Sequence, residues 1–256
     1  MISYKNIKTP CFVLDIDRLN ENLKNLKSAF NHYWANIIIG YSYKTNSLPW
    51  LLEYFKKQNL YAEVVSPDEY ALAKSLGYDP SRIILNGPYK NKETIRDVLL
   101  NNGILNIDSY QEALWIIENV HEPIKIGIRI NFDLEKLCPK ETLMGEEPSR
   151  FGINIENKLL EKVISLLQSK DTVQVVGLHA HFSTKTKSLN IFSVISQKIC
   201  ELKVQYNLSL EYIDIGGCFF GDKLGAPSYM DYAKTISSIL KKEFKPEETT
   251  LILEPG

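Results

Sequence analysis

No apolar run in this sequence approaches the roughly 20 residues that a bilayer-spanning helix requires, which argues against a helical membrane protein. Charge of one sign is not in excess either. The 30 Lys and Arg balance 31 Asp and Glu to a formal net charge of −1, so neither nucleic acid nor an anionic membrane is an expected partner. Cysteine is scarce. Cys11, Cys138, Cys200 and Cys218 lie far apart and form no CxxC pair, a spacing that suits neither a zinc site nor a disulfide framework. Residues 1–6 carry no apolar signal-peptide core, and these absences together make a reducing, cytoplasmic setting the expectation. Low-complexity tracts, blocks of like charge and Gly/Ser linkers are missing as well.

What the sequence does have is a rhythm. Its 256 residues, 44% hydrophobic and 24% charged, suit a single soluble α/β barrel. Residues 9–14 read as a short strand, and Asp15 or Asp17 can cap a helix carrying Leu19, Leu23, Leu26 and Phe30 at helical spacing. Strands are then expected over 37–44, 60–65, 83–85, 103–107, 124–131, 173–182, 212–215 and 251–254. Helices are expected between them, over 49–58, from 66 to about 77, and over 92–101, 110–119, 158–169, 189–206 and 229–244. Ser66-Pro67-Asp68-Glu69 is a capping box with Pro at the first helical position, Gly77 suits a left-handed C-cap, and Asp108 with Gln111 resembles another box. This order predicts a closed (β/α)8 TIM barrel over 36–256, with 1–35 as a strand and helix leading into it. The connection over 132–152 is long enough for a substrate lid.

Barrel chemistry sits at the carboxyl ends of the strands. Those ends carry Lys44, Glu63, Asn86, Arg129, Asn131, His179, His181, Ser183, Thr184, Asp214, Gly216, Gly217, Cys218 and Glu254. A lysine, a histidine, a glycine turn exposing N–H groups and a carboxylate suit an aldehyde cofactor bearing a phosphate. The lysine would form a Schiff base, the turn and the Ser183/Thr184 hydroxyls would hold the phosphate, and Glu254 would pair with a pyridinium nitrogen. Each group also has a purely structural reading. Lys44 can snorkel from a strand end, Gly216-Gly217 can be a left-handed turn, and Glu254 and Arg129 can be ion-pair partners. Alternation puts His179 and His181 on one side of their strand, with His179 as the hydrogen-bonded structural histidine. No third ligand at diagnostic spacing joins them, so no metal is expected.

At these residues the chain resembles the fold-type III pyridoxal-phosphate decarboxylases, the diaminopimelate and ornithine decarboxylase group related to alanine racemase. The resemblance is carried, in order, by Tyr43-Lys44-Thr45-Asn46, Glu63-Val64-Val65-Ser66 with Glu69, Ser149-Arg150-Phe151-Gly152, Gly177-Leu178-His179-Ala180-His181, Asp214-Ile215-Gly216-Gly217 and Glu254-Pro255-Gly256. It implies pyridoxal 5'-phosphate as cofactor, Lys44 as the Schiff-base lysine, His181 stacked on the ring, and Glu254 on the pyridine nitrogen. Gly216, Gly217 and Thr184 would contact the phosphate, and Glu63, Arg129, Cys218 and Gly256 complete the implied binding set. The implied activity is decarboxylation of a basic or diamino acid, diaminopimelate-like. A racemase of the same fold and a non-catalytic cofactor-binding barrel are the alternatives. Departures are Ser183 at a usual glycine and Cys218 at the third glycine of the turn, where a Cβ favours negative φ. Family members continue beyond the position of Gly256 with an arginine, a last barrel helix and a β-rich domain that supplies a catalytic cysteine across a dimer interface. The expectation is therefore a homodimer when full length, and poor activity from these 256 residues on their own.

Overall fold

Helix α1 (Ile16–Tyr33) starts where Asp15 accepts a hydrogen bond from the Arg18 N–H at 3.0 Å. Its Leu26, Ala29 and Phe30 turn inward, and at its end Trp34 donates its indole N–H to the Thr249 carbonyl at 2.7 Å, tying the helix to the far end of the chain. The computed structural model describes residues 8–143, 149–221 and 223–256.

The alternation then runs β1 (Ile37–Ser42), α2 (Pro49–Lys57), β2 (Tyr61–Val64), α3 (Pro67–Ser75), β3 (Ile83–Leu85), α4 (Lys92–Leu100), β4 (Ile104–Ile107) and α5 (Tyr110–Asn119). It continues with β5 (Ile124–Asn131), a one-turn α6 (Leu134–Leu137), β6 (Ile153–Asn154), α7 (Leu159–Gln168), β7 (Val173–His179), α8 (Leu189–Gln205), β8 (Tyr212–Asp214), α9 (Tyr229–Leu240) and β9 (Thr250–Leu253). Each strand pairs in parallel with its neighbours, and the β4–β5 and β1–β9 pairings close the ring. Eight strands form the barrel. The unexpected β6 is a two-residue spur on the upper end of β5, with Ile130 beside Ile153.

Helix starts follow local chemistry, shifted by one residue from expectation at one of them. The cap of α5 is Ser109, not Asp108. Ser109 Oγ accepts from the Glu112 N–H, and the Glu112 carboxylate reaches back to the Asp108 N–H at 2.7 Å. Ser66 and Glu69 repeat the arrangement at α3, where Glu69 accepts from the Val65 N–H at 2.8 Å. In both, the carboxylate satisfies the donor one residue before the cap.

The strand expected over 9–14 does not form. A strand needs a neighbour to supply ladder hydrogen bonds, and among the described residues none pairs with it, so Phe12, Val13 and Leu14 stand exposed. Strands β1 and β7 also end two or more residues earlier than expected, which leaves Lys44 and His181 in the loops above them.

The barrel interior is layered. Ile84, Val176, Tyr212 and Ile252 plug its lower half. Tyr212 fits because β5 and β7 present glycines to it: a Cβ on Gly177 or Gly127 would come within 2.0 Å of its ring or hydroxyl. The Tyr212 hydroxyl donates to Asn106 Oδ1 at 2.8 Å, where the apolar plug gives way to a polar layer. No helix among the described residues is long and apolar enough to cross a membrane.

Candidate active site

The polar layer is built from strands distant in sequence. Glu63 lies on β2, Asn86 just beyond β3, Asn106 on β4, His179 and Asp214 end β7 and β8, and Glu254 follows β9. All are buried. Ser42 Oγ donates to Glu63 Oε2 at 2.5 Å. The Asn86 amide nitrogen is shared between Glu63 Oε1 at 3.0 Å and Glu254 Oε1 at 2.5 Å, and Asn86 Oδ1 accepts from Asn106 at 2.9 Å. Asn106 also reaches Asp214 Oδ2 at 3.3 Å. Lys44 sits at the upper rim with its side chain 42% exposed and its Nζ 3.9 Å from Glu63 Oε2. It is thus not a buried strand-end lysine but a half-exposed amine aimed at a buried carboxyl.

Three carboxyl groups so close cannot all ionise in a dry interior. Burial, then the Glu254 charge, pushes Glu63 up to about 7, with Lys44 pulling the other way. Burial and the same Glu254 charge raise Asp214 well above the carboxylate range. Burial opposes the charge on Glu254 too, but His179 and a hydrogen bond from Asp214 outweigh it, so Glu254 is held low. Glu254 therefore carries the charge and Asp214 the proton.

The Glu63 shift has a measurable consequence. Its carboxyl ionises near 4.5 in the unfolded chain and near 7 in the folded one. Between those values the unfolded state releases its proton first, so stability falls as pH rises and levels off above about 7. The stability of the wild type relative to Glu63→Gln should fall by roughly 3 kcal/mol across that window, measured by urea unfolding. A pH-independent difference would mean that Glu63 bears its charge without penalty.

His181 lies just past β7, partly buried. Its Nδ1 accepts the Gly217 N–H at 3.3 Å, and its carbonyl accepts from Arg129 at 3.1 Å. Burial, then the Lys44 charge, pushes it down to about 3, so it is a neutral ring near pH 7. Gly216 has φ +66, and a Cβ there would meet His181 Nδ1 at 2.4 Å. Its N–H is taken by Asp214 Oδ1 at 2.9 Å. Both glycine N–H groups are thus engaged within the site, whereas those of Cys218 and Phe219 are not donated to another described residue. Cys218 overturns its expectation. It adopts φ +74, because the turn is anchored on its N-terminal side by the Gly216 and Gly217 hydrogen bonds and its side chain points to an exposed position. The left-handed conformation costs a non-glycine residue about 1–2 kcal/mol.

His179 also departs from expectation. It is buried, yet neither ring nitrogen has a hydrogen-bond partner, and its Nε2 stands 3.5 Å from Glu254 Oε2. Burial keeps it below the usual histidine range, against the pull of Glu254, so the pair is a neutral imidazole facing a carboxylate rather than an ion pair. His179, Asp214 and Glu254 offer ligand atoms within 4.8 Å of one another, a grouping that sequence spacing did not suggest.

Arg129 is a brace. It spans the His181 carbonyl, Asp108 Oδ2 at 3.5 Å and the Phe151 ring at 5.1 Å, while Asp108 accepts the Gly152 N–H at 2.6 Å. Beneath it is a pair that sequence reasoning missed. Lys90, its side chain fully buried, donates to Glu112 at 3.0 Å and to the Gly87 carbonyl at 2.5 Å. Its signal was a lysine five residues past the end of β3, at the barrel mouth. Thr184 forms an isolated antiparallel bridge with Thr142, and Leu143 donates to the Ser183 carbonyl at 3.0 Å. The long connection therefore docks beside the site, although residues 144–148 of the expected lid lie outside the described residues. Gly256 abuts Thr45, where a Cβ would come within 2.3 Å of a methyl.

The site thus places a reachable amine, a neutral imidazole, a buried anionic carboxylate and unengaged turn N–H groups around one mouth. That donor set fits an aldehyde-bearing, phosphate-bearing aromatic cofactor.

The family model described as "Pyridoxal-dependent decarboxylase, pyridoxal binding domain" matches residues 16–256. The diaminopimelate decarboxylase of Methanocaldococcus jannaschii is 28% identical over 265 residues, covering 97% of this chain and 60% of that protein. An L-glutamyl-[BtrI acyl-carrier protein] decarboxylase from Niallia circulans is 26% identical, covering 98% and 60%. Among solved structures, the M. jannaschii diaminopimelate decarboxylase in co-complex with L-lysine superposes with a TM-score of 0.83 at 25% identity, covering 99% of this chain and 62% of that one. The Helicobacter pylori diaminopimelate decarboxylase complexed with L-lysine superposes with a TM-score of 0.80 at 26% identity, covering 99% and 64%. The chain thus spans about 60% of the length of the relatives it matches.

Proposed function

The chain belongs to the pyridoxal-dependent decarboxylase family, and from that premise we propose that it binds pyridoxal 5'-phosphate and serves the decarboxylation of a basic or diamino acid, diaminopimelate first. One observation carries the reading. The buried line Glu63–Asn86–Glu254 has the Lys44 amine at one end and an anionic carboxylate at the other, which are the two groups that an aldehyde and a pyridine nitrogen require. When bound, the cofactor supplies an electron sink for the pair left behind as the substrate carboxyl departs.

The chain's own residues do the rest. Lys44 offers its Nζ to the aldehyde, and Glu63 sets the charge beside that nitrogen. Glu254 holds a proton on the ring nitrogen, and neutral His181 covers the ring without adding charge. Thr184 and the N–H groups of Cys218 and Phe219, at the end of the Gly216-Gly217 turn, would receive the phosphate, and Gly256 packs next to Thr45 beside Lys44. Arg129 keeps His181 in place. In this reading the described residues from 36 onward make the cofactor-binding barrel, and those from 8 to 35 precede it. The reading extends to a homodimer working in the cytoplasm, in keeping with four free cysteines and the exposed apolar segment around Phe12.

Diaminopimelate with pyridoxal phosphate should yield carbon dioxide and lysine, slowly from these 256 residues on their own, assayed by product chromatography. Conversion to the other enantiomer without carbon dioxide would favour a racemase, and retained cofactor with neither product would favour a non-catalytic barrel.

A further inference from the structure

Three adjacent strands end at one level in the barrel. His179 and Asp214 are register partners across β7 and β8, and Glu254 follows two residues after Ile252, the partner of Asp214 on β9. The register alone therefore packs the three side chains together. Glu254 Oε1 is held by Asn86 at 2.5 Å and Asp214 hydrogen-bonds the same carboxylate, while Oε2 lies 3.5 Å from His179 Nε2, whose ring nitrogens have no formed hydrogen bond. A buried polar group without a partner costs about 1–3 kcal/mol. An apolar side chain of similar volume would avoid that cost, so the imidazole needs a purpose.

We propose that His179 is a positioning residue for Glu254: its Nε2–H steers Oε2 while Asn86 holds Oε1, so that the carboxylate is offered to the ring nitrogen in one fixed orientation. This rests on the proposed cofactor reading. Asp214 adds its proton from β8, and the other titratable groups facing His179 are Arg129 on β5 and Lys44 above β1, both cationic. His181, two residues on, is neutral. His179 touches neither the amine nor the turn, and its role is to act through Glu254.

The test uses the 256-residue chain with pyridoxal phosphate, comparing wild type, His179→Leu and His179→Gln. The glutamine amide can replace the Nε2–H donor, whereas leucine cannot. Leucine should raise the cofactor Kd about 10-fold and move the pH midpoint of the bound cofactor's visible absorption down by about one unit, because a less firmly held carboxylate stabilises the ring proton less. Glutamine should restore both to near the wild-type values, which a merely space-filling role would not predict. Leucine with wild-type Kd and midpoint, or glutamine as impaired as leucine, would overturn the inference while leaving cofactor binding intact. One equivalent of zinc in the purified wild type, lost in the leucine variant, would assign the three residues to a metal and overturn it as well. A wild type that takes up no pyridoxal phosphate would overturn this inference and the cofactor reading together.

Discussion

Replacing Lys44 with alanine should abolish covalent capture of pyridoxal phosphate. Borohydride treatment of the wild type should fix the cofactor on the peptide carrying Lys44, while Lys44→Ala should show label at background. Lys44→Arg should behave like alanine, because a guanidinium stays protonated and cannot attack an aldehyde. The structure explains why no other lysine substitutes. Lys90 is the nearest alternative in character, but it is buried and committed to Glu112 and the Gly87 carbonyl. Lys44, at the rim of the polar layer, pairs partial exposure with a buried carboxyl partner at 3.9 Å. Its removal should leave the fold intact, since the side chain is 42% exposed, so loss of label would not reflect unfolding. Label on another lysine in the wild type would overturn the assignment.

The second large effect is structural. In Gly217→Ala the new Cβ would lie 1.8 Å from the Glu254 carbonyl oxygen and 2.6 Å from its carbon. Both are backbone atoms, so no side chain can swing aside. Either the turn or the chain after β9 must move, straining the 2.8 Å bond from the Glu254 N–H to the Gly216 carbonyl and displacing Glu254 itself. The expected cost is roughly 3 kcal/mol or more, together with loss of cofactor binding. Gly225→Ala is the control. It has the positive φ, +77, that Gly217 lacks, but a Cβ there meets nothing within 4 Å, so it should cost only about 1 kcal/mol. Urea midpoints of the two variants separate close approach from conformation. Equal shifts would show that the turn does not press on Glu254.

Much of this molecule was legible in its sequence. The strands around Ile38, Ile84 and Ile128 and the helix stripe of Leu19, Leu23, Leu26 and Phe30 declare themselves by local periodicity, and Ser66-Pro67 and Gly77 punctuate a helix by local backbone preference. Lys44, Glu63, His181, Asp214 and Glu254 come together because a parallel barrel gathers the carboxyl ends of all its strands at one mouth. Local sequence pattern falls short where conformation depends on distant partners. Residues 9–14 have strand-like composition but no neighbour among the described residues, and Cys218 takes a left-handed conformation because contacts from Asp214 and His181 hold the residues before it. Asn106 is one polar residue in an otherwise apolar strand, and only the closed barrel shows it joining Tyr212 to Asn86.

The sequence by itself determined the order and kind of the elements, and with them which side chains reach the mouth, because periodicity, caps and turns act within a few residues of chain. Tertiary structure alone decided what state those side chains are in. Glu63, Asp214 and Glu254 are ordinary carboxyls in the sequence, contributed by β2, β8 and the chain after β9. Brought together in a dry layer around Asn86 and His179, they leave the negative charge on Glu254 and hold the proton on Asp214, and this division depends on burial and on distances of a few ångströms between groups far apart in the chain.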